Sequence, residues 1–298
     1  MLLTAYQERC SVARVESHPR PASCPQGPQG RQLMQKMKWR RALVTGASEG
    51  IGEAFARHLA NRGCDLVLVA RRHDPLERLS TELAASGIHA EPLAADLTTL
   101  SALASVESRL RSDEQPVDLL VNNAGGASQY GPFLELDPDL LTDDAYLNAL
   151  TTLRLTRAAA GAMARRGGGS ILNVSAGVAF YPVPGAAAYG ASKAFVNSLT
   201  EALSYELVES GITVTAVCPG FTRTGAQQRL GMNIDSIPRL LWTQPSEVAG
   251  AALRAAERGQ TISSPGATGT INAFLGRHLP RRLFLPQVAR AQLRAAGR

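Results

Sequence analysis

Short apolar runs of strand length recur along the chain, and longer segments with helical apolar spacing separate them. The runs are Ala42–Thr45, Leu66–Ala70, Ala90–Ala94, Leu119–Val121, Ile171–Val174, Thr213–Val217 and Thr261–Ser263. The helical segments are Ala54–Asn61, Leu76–Ala85, Leu100–Leu110, Asp139–Arg165, Ala186–Val208 and Pro245–Ala256. Runs apolar on both faces that alternate with helices are typical of a parallel sheet covered on both sides. The pattern predicts an α/β fold, a single doubly wound (Rossmann) domain with a seven-stranded parallel sheet and helices on both faces.

The two ends of the chain differ in composition from its body. Most of the formal charge of +6 comes from the basic residues of segments 1–41 and 277–298, whereas the body between them has more acidic than basic residues. This distribution argues against nucleic-acid binding by the folded body. Prolines crowd residues 16–32, so we predict a disordered leader over 1–37, a catalytic domain over 38–268 and a helical extension over 269–298.

The cysteine and hydropathy patterns indicate the cellular compartment of the protein. Cys10 and Cys24 lie in the leader, and Cys64 and Cys218 lie in apolar surroundings without metal-ligand spacing, so neither a metal nor a disulfide framework is expected. No apolar run has membrane-spanning length, and the first 37 residues lack the apolar core of a signal peptide. We expect a cytoplasmic protein. Arginines interleaved with apolar residues near the C-terminus could form an amphipathic surface helix, but membrane contact is the less favoured interpretation.

A glycine-rich T-G-A-S-E-G-I-G segment at residues 45–52 lies between the first predicted strand and the first helix. Gly46, Gly50 and Gly52 would let the backbone approach a pyrophosphate and place its charge at a helix N-terminus. The alternative is an ordinary tight turn. The strand–turn–helix context favours dinucleotide binding.

The end of the second strand reads V-A-R-R, where an acid would suit the ribose 2′-hydroxyl of NAD. Arg71 offers a guanidinium suited to a 2′-phosphate, which favours NADP(H). Glu49 argues against this choice because its charge could lie near the same phosphate. Arg72 is interpreted as a solvated neighbour.

Tyr189 and Lys193 are one helical turn apart in Y-G-A-S-K, so the phenol and the ammonium share a helix face. A cation beside a phenol lowers the pKa of the phenol, which makes Tyr189 a candidate acid/base. An isolated pair of this kind is usually a half-buried aromatic beside a solvated lysine. The glycine turn upstream favours a catalytic role for the pair instead.

With these motifs in order, the chain resembles the short-chain dehydrogenases/reductases from about Trp39 to Pro265. The further landmarks are Asp96-Leu97, N-N-A-G at 122–125, Asn148, I-L-N-V-S at 171–175 and P-G-F-T-R-T at 219–224. The resemblance implies a tyrosine that protonates a carbonyl, a lysine that lowers its pKa and an asparagine that organises water, which are Tyr189, Lys193 and Asn148. The cofactor contacts that it implies are Gly46, Ser48, Gly50, Ile51, Gly52, Arg71, Asp96, Leu97, Asn123, Ala124, Gly125, Tyr189, Lys193, Pro219, Gly220, Thr222 and Thr224. Asp96 could instead cap the next helix, and Asn123 could be a turn residue.

The chain departs from the family at one catalytic position. The family serine that hydrogen-bonds the substrate carbonyl lies thirteen residues before the tyrosine, and this position is Ala176. Ser175 is the adjacent candidate for the catalytic hydroxyl, although strand alternation would normally point it to the other face. The sequence is compatible with the catalytic position at either Ala176 or Ser175.

These observations favour an NADP(H)-dependent oxidoreductase acting on a small or medium apolar carbonyl or its alcohol. The predicted substrate loop at 224–245 and the facing segment at 178–184 are apolar with few charges. The rival hypothesis is a cofactor-binding or regulatory module whose chemistry is weakened by Ala176. The resemblance also implies a homodimer or homotetramer built on the helices at 139–165 and 186–208.

Overall fold

A computed structural model describes residues 39–225 and 238–278, together with residues 280, 282, 285–288 and 290. Seven strands form one parallel sheet in the order β3-β2-β1-β4-β5-β6-β7. The strands are β1 (Arg41–Thr45), β2 (Asp65–Ala70), β3 (Ala90–Ala94), β4 (Leu119–Asn122), β5 (Gly169–Val174), β6 (Ile212–Val217) and β7 (Ile262–Ser263). The predicted doubly wound fold is confirmed.

Helices connect successive strands. They are α1 (Gly50–Ala60), α2 (His73–Ala84), α3 (Leu100–Arg111), α4 (Pro138–Ala145), α5 (Thr151–Arg165), α6 (Ala187–Glu206), α7 (Pro245–Glu257) and α8 (Gly266–His278). Short 3₁₀ turns lie at Phe133–Glu135, Gly177–Phe180 and Arg239–Leu241, and a π-helical turn at Tyr146–Leu150 joins α4 to α5.

Alternating strand residues supply two apolar layers, one on each face of the sheet. Ala42 and Val44 of β1 face α1 and α7, where Phe55 and Leu253 are fully buried. Leu43, between them in sequence, belongs to the opposite layer with residues of α3 and α5. Successive strand side chains point to opposite faces, so a run that is apolar throughout supplies both layers.

The strand order reverses between β1 and β4, which lie side by side although β2 and β3 come between them in sequence. In open parallel sheets, ligands bind beyond the carboxyl ends of the strands at such a switch point. The glycine turn follows β1 and the N-N-A-G segment begins at the end of β4, so both predicted cofactor segments lie at this edge.

The predicted helix at 139–165 is interrupted in the structure. Asp137 caps α4 by accepting hydrogen bonds from the backbone N–H groups of Asp139 and Leu140, with Pro138 in the first turn. The π-helical turn then separates α4 from α5. Apolar spacing alone cannot show one inserted residue, because the helical pattern resumes on the other side of it.

The predicted leader at 1–37 lies outside the described residues. Of the predicted C-terminal extension, the described part includes most of α8, which begins at Gly266, three residues earlier than expected. In the described part of the chain, no helix is long and apolar enough to cross a membrane.

Candidate active site

The glycine turn after β1 adopts a backbone that only glycine takes readily. Gly46 has φ +64° and Gly50 has φ +61°, both in the left-handed region. Gly52 has no room for a side chain, since a Cβ there would overlap the Gly46 carbonyl and the Asn123 amide. Ser48 lies within this turn and Ile51 packs partly on the core. The turn therefore brings backbone to the N-terminus of α1 with nothing projecting from its glycines, as a pyrophosphate requires.

Asn123 and Thr45 fasten the ends of β1 and β4 to one another. The Asn123 side-chain amide donates to the carbonyls of Thr45 at 2.9 Å and Gly46 at 3.2 Å. The Thr45 hydroxyl accepts from the backbone N–H groups of Asn123 and Ala124 at 2.9 and 3.0 Å. Asn123 thus does more than form its own turn, because it holds the glycine turn in place.

Arg71 and Arg72 follow β2 and have different environments. Arg72 forms a 2.8 Å ion pair with Glu49, the residue just before α1. Arg71 is exposed and has no ion-pair or hydrogen-bond partner within the described part of the chain. The charge of Glu49, which argued against a phosphate here, is therefore balanced by Arg72, and the Arg71 guanidinium is available for an anion.

Asp96 and Leu97 follow β3. The Asp96 carboxylate accepts hydrogen bonds from the Thr98 backbone N–H at 3.0 Å and from the Thr98 hydroxyl at 2.7 Å. These bonds agree with the alternative role of Asp96 as a cap before the next helix. Burial of Asp96 opposes ionisation, but these hydrogen bonds and the charge of Arg71 outweigh it and lower the Asp96 pKa. The Leu97 side chain is buried in the core, and its carbonyl accepts from Thr151.

The segment after β6 approaches the same edge of the sheet. The carbonyl of Pro219 accepts from the Gly177 N–H at 2.8 Å, and Gly220 has no room for a side chain beside Thr268. Thr222 is buried and pairs with Thr243 in an isolated bridge. The Thr224 side chain lies against Gly50, where a Cβ would come within 3.3 Å of it. The structure thus brings the P-G-F-T-R-T segment to the glycine turn.

Lys193 and Tyr189 share one face of α6, as their spacing predicts. The Lys193 ammonium donates to the carbonyl of Val174 at 2.9 Å, at the end of β5, and the residue is only 4% exposed. Its Nζ lies 5.8 Å from the centroid of the Tyr189 ring. This burial excludes a solvated lysine. The hydrogen bond offsets the cost of burying the ammonium, which would be large without a partner.

Burial changes the acidity of both groups. It raises the pKa of the Tyr189 phenol well above its ordinary value, with smaller contributions from Tyr130 and Cys218. Burial also lowers the pKa of Lys193 to about 8. The expectation that Lys193 lowers the pKa of Tyr189 therefore does not hold in the chain alone, since desolvation opposes both phenolate and ammonium.

Asn148 lies at the centre of the π-helical turn and is fully buried. Its side-chain nitrogen donates to the carbonyls of Gly126 at 2.6 Å and Asp144 at 2.7 Å, and its oxygen accepts from the Gly126 N–H at 3.0 Å. Gly125 has φ +148°, and a Cβ there would collide with the Asn148 oxygen. Asn148 does not face solvent, and it fixes the segment that follows β4.

Ser175 and Ala176 continue the extended backbone of β5. The Ser175 N–H donates to the Val217 carbonyl at 2.8 Å, and Ala176 has φ −157° and ψ 160°. The Ser175 hydroxyl donates to the Lys193 carbonyl at 3.1 Å, and the residue is 3% exposed. This geometry speaks against Ser175 as a catalytic donor, because its hydroxyl is directed at the backbone of α6. The strand does not end early enough to turn Ser175 toward a substrate.

A buried network of polar side chains, which the sequence did not reveal, joins α5, the helix after Asn148, to α6, the helix that carries Tyr189. The Asn122 amide donates to Thr156 of α5 at 3.0 Å and to the Asn173 oxygen at 2.9 Å, and the Asn173 amide donates to Thr200 of α6 at 2.9 Å. The network runs α5–β4–β5–α6. Polar residues at matching positions of adjacent strands are its only sequence signal.

The predicted substrate segments are only partly described, because residues 226–237 lie outside the described part. Phe221 and Trp242 flank the gap, with ring centroids 5.7 Å apart. On the facing segment, the Tyr181 hydroxyl donates to the Asn272 side chain of α8 at 2.9 Å. The described part of the C-terminal extension thus packs on its own domain. Among the described residues, no group of His, Cys, Asp and Glu side chains is arranged to hold a metal ion.

Comparison with known proteins identifies relatives of the chain. A family model described as short chain dehydrogenase matches residues 40–235. Oxidoreductase UcpA of Salmonella typhimurium is 35% identical over 192 residues, which are 64% of this chain and 72% of UcpA.

Solved structures give the same result. A short-chain dehydrogenase from Sphingobium yanoikuyae in complex with NADPH is 38% identical with a TM-score of 0.72, over 86% of this chain and 95% of the other. A bulky-bulky ketone specific alcohol dehydrogenase from Comamonas testosteroni is 34% identical with a TM-score of 0.69, over 86% and 94% of the two chains.

Replacing Asn148 with Ala should lower the free energy of unfolding by about 2–4 kcal/mol, since Gly126 and Asp144 would lose buried hydrogen-bond partners. Urea unfolding measures this loss. Asn61→Ala, at the exposed end of α1, is the control and should change stability by less than about 0.5 kcal/mol. An effect of Asn148→Ala as small as the control would contradict the structural role of the amide.

Ser175→Ala should lower the free energy of unfolding by about 1 kcal/mol through loss of a buried hydrogen bond. Because the hydroxyl faces α6, kcat/KM should fall by less than about tenfold, whereas loss of a transition-state donor typically costs about 10²–10³-fold. Thermal unfolding and steady-state kinetics measure the two effects. A loss of kcat/KM in the higher range would restore Ser175 as the catalytic donor.

Proposed function

Since the chain belongs to the short-chain dehydrogenase family of oxidoreductases, we propose that it transfers a hydride between NADP(H) and the carbonyl or alcohol carbon of a small or medium apolar substrate. One observation carries the proposal. Partly buried Tyr189 and buried Lys193 lie on one face of α6, and the Lys193 ammonium donates a hydrogen bond to the end of β5, at the edge where the strands end. A proton donor placed beside a dinucleotide site is what carbonyl reduction requires.

The residues present fit an NADP(H) cofactor. The bare glycine turn and the N-terminus of α1 suit the pyrophosphate, and Thr224 lies against this turn. Arg71 suits the 2′-phosphate, because its guanidinium is exposed and the neighbouring acid Glu49 is paired with Arg72. The bound NADPH named for the Sphingobium yanoikuyae relative supports this choice.

When bound, the cofactor supplies or accepts the hydride. In the reduction direction, the Tyr189 hydroxyl donates a proton to the carbonyl oxygen, and the raised pKa of this phenol keeps it protonated at neutral pH. Lys193 stays beside the tyrosine because its ammonium is held by the carbonyl of Val174. Its pKa of about 8 leaves it largely protonated at pH 7.

The other two predicted catalytic residues act by positioning. Asn148 holds the segment after β4 against the π-helical turn, and Ser175 ties the end of β5 to α6 at Lys193. Both interactions are buried, so they fix the groups that they join.

An apolar ketone or its alcohol is the proposed substrate class. On the predicted substrate side, Phe221 contacts Trp242 and Val183 is buried in the facing segment, and the Comamonas testosteroni relative is named for bulky ketones.

The rival hypothesis of a regulatory cofactor-binding module is less well supported. Such a module would have no need of a lysine held in a dry environment beside a tyrosine, because burial of this group costs free energy. Ala176 is the one observation that favours the rival.

Three further proposals concern the oligomeric state, the domain boundaries and the location of the protein. The exposed apolar residues Leu150 and Leu153 near α5 and Phe195 on α6 support a homodimer or homotetramer built on these helices. The domain boundaries at 38–268, with a leader and a C-terminal extension outside them, stay predictions. So does the cytoplasmic location.

Tyr189→Phe should lower kcat about 10²–10⁴-fold, because only the proton donor is lost. NADPH affinity, measured by fluorescence titration, should stay nearly constant. Tyr205→Phe is the control, since this tyrosine is 81% exposed near the end of α6. Activity of Tyr189→Phe within tenfold of wild type would contradict the assignment of Tyr189 as the proton donor.

Arg71→Ala should weaken NADPH binding about 10- to 100-fold while leaving NADH binding nearly unchanged, because a charge-assisted contact is lost from one cofactor only. Titration with both cofactors measures the difference. Arg62→Ala is the matched control, since Arg62 pairs with Glu257 between α1 and α7. Equal losses for NADPH and NADH would contradict the 2′-phosphate assignment.

A further inference from the structure

Among the described residues, the position at which the family places a second hydroxyl on the substrate oxygen has none. Ala176 occupies that position, and the neighbouring hydroxyls are engaged elsewhere. Ser175 donates to the Lys193 carbonyl, Ser192 donates to the Ala188 carbonyl at 2.8 Å, and Tyr181 donates to Asn272. None of these three hydroxyls is free to replace the missing donor.

Tyr130 lies directly beside the proposed proton donor. Its ring meets the Tyr189 ring edge to face, with centroids 6.3 Å apart and an interplanar angle of 75°. This is a favoured geometry for an aromatic pair. Within the described part of the chain, the Tyr130 hydroxyl has no hydrogen-bond partner, and the residue is 42% exposed. A second uncommitted phenol is therefore present next to the first.

The segment that carries Tyr130 is anchored on both sides. Before it, the backbone N–H and hydroxyl of Ser128 each donate to the buried Asp144 carboxylate at 2.7 Å. After it, the Gly131 N–H donates to the Gly185 carbonyl at 3.0 Å, just before α6. Anchors on α4 and at the start of α6 set the position of Tyr130 relative to Tyr189.

We propose that the Tyr130 hydroxyl donates the second hydrogen bond to the substrate oxygen, in place of the serine that is absent at Ala176. The inference rests on the proposed function and adds a residue to it. In carbonyl reduction, Tyr189 transfers its proton to the oxygen, and Tyr130 stabilises the negative charge on that oxygen without giving up its own proton. Such donors lower the barrier because the bond strengthens as charge develops.

The surroundings of Tyr130 keep it a donor. Although the residue is partly exposed, desolvation and the nearby Asp144 carboxylate raise the pKa of its phenol to about 12. The hydroxyl is thus neutral and protonated across the working pH range. The two phenols also interact electrostatically, since Tyr130 is one of the groups that raise the pKa of Tyr189. The edge-to-face contact of the two rings places the phenols side by side.

The test compares wild type with Tyr130→Phe, Ala176→Ser and the double variant, using NADPH and one ketone that the wild type reduces. Phe keeps the ring contact with Tyr189 and removes only the hydroxyl. Tyr130→Phe should lower kcat/KM about 10²-fold, with most of the loss in kcat, as for loss of an oxyanion donor. Ala176→Ser should change the wild type by less than about tenfold, yet restore the Tyr130→Phe enzyme by about tenfold or more.

Two results would overturn the proposal. One is a Tyr130→Phe enzyme that keeps at least about a third of wild-type kcat/KM. The other is a loss in Tyr130→Phe that Ala176→Ser does not recover, since the lost group would then not be a donor that serine can replace. Tyr205→Phe controls for loss of an exposed phenol, and thermal unfolding of each variant controls for folding.

The design separates failure of this inference from failure of the proposed function. If Tyr189→Phe is inactive while Tyr130→Phe is normal, the family chemistry stands and Tyr130 has no part in it. If the wild type reduces no ketone of a panel with NADPH, the proposed function itself fails. If the wild type is active and Tyr189→Phe keeps that activity, Tyr189 is not the proton donor, and the proposal for Tyr130 fails with that assignment.

Discussion

The site depends on the side-chain amide of Asn148, which joins Gly126, in the segment after β4, to the backbone of Asp144 in α4. Its three hydrogen bonds hold Gly126 against the π-helical turn and close that turn onto Asp144. Asp144 in turn holds Ser128, two residues before Tyr130. A buried amide with both polar atoms satisfied is rigid, because leaving either atom unpaired costs more free energy than a hydrogen bond contributes on balance. The position of Tyr130 beside Tyr189 therefore follows from a residue whose sequence context shows only a polar side chain within a helix.

Desolvation controls the electrostatics of the site more strongly than the pairing of Lys193 with Tyr189. Burial raises the pKa of the phenol and lowers the pKa of the amine, so each group is shifted toward its neutral form. A proton donor benefits from this environment, because it must keep its proton until the substrate oxygen becomes basic. Lys193 has a positional role, since the hydrogen bond from its ammonium to the Val174 carbonyl sets the distance of the ammonium from the phenol.

The sequence predicted the sheet and the segments at its carboxyl edge, because both follow from local patterns. Apolar runs locate strands, and the spacing of Gly46, Gly50 and Gly52 shows a turn that side chains would block. The π-helical turn, the Ser175 bond to Lys193 and the meeting of Tyr130 with Tyr189 were not predictable in this way. Each depends on how segments that are distant in sequence are aligned in the fold, and the spacing of apolar residues contains no information on that alignment.

The loss of a catalytic serine need not weaken an enzyme whose fold can present another donor to the same point. A serine at the end of a strand is short and is fixed by the sheet, whereas Tyr130 reaches from a loop and needs anchors to act with similar precision. The chain provides two such anchors, at Asp144 and at Gly185. An anchored phenol loses little conformational freedom when it bonds a substrate, and a raised pKa keeps it from ionising. Because Tyr130 would donate to the oxygen that a serine at position 176 would otherwise reach, we interpret the alanine at 176 and the placement of Tyr130 as two halves of one change.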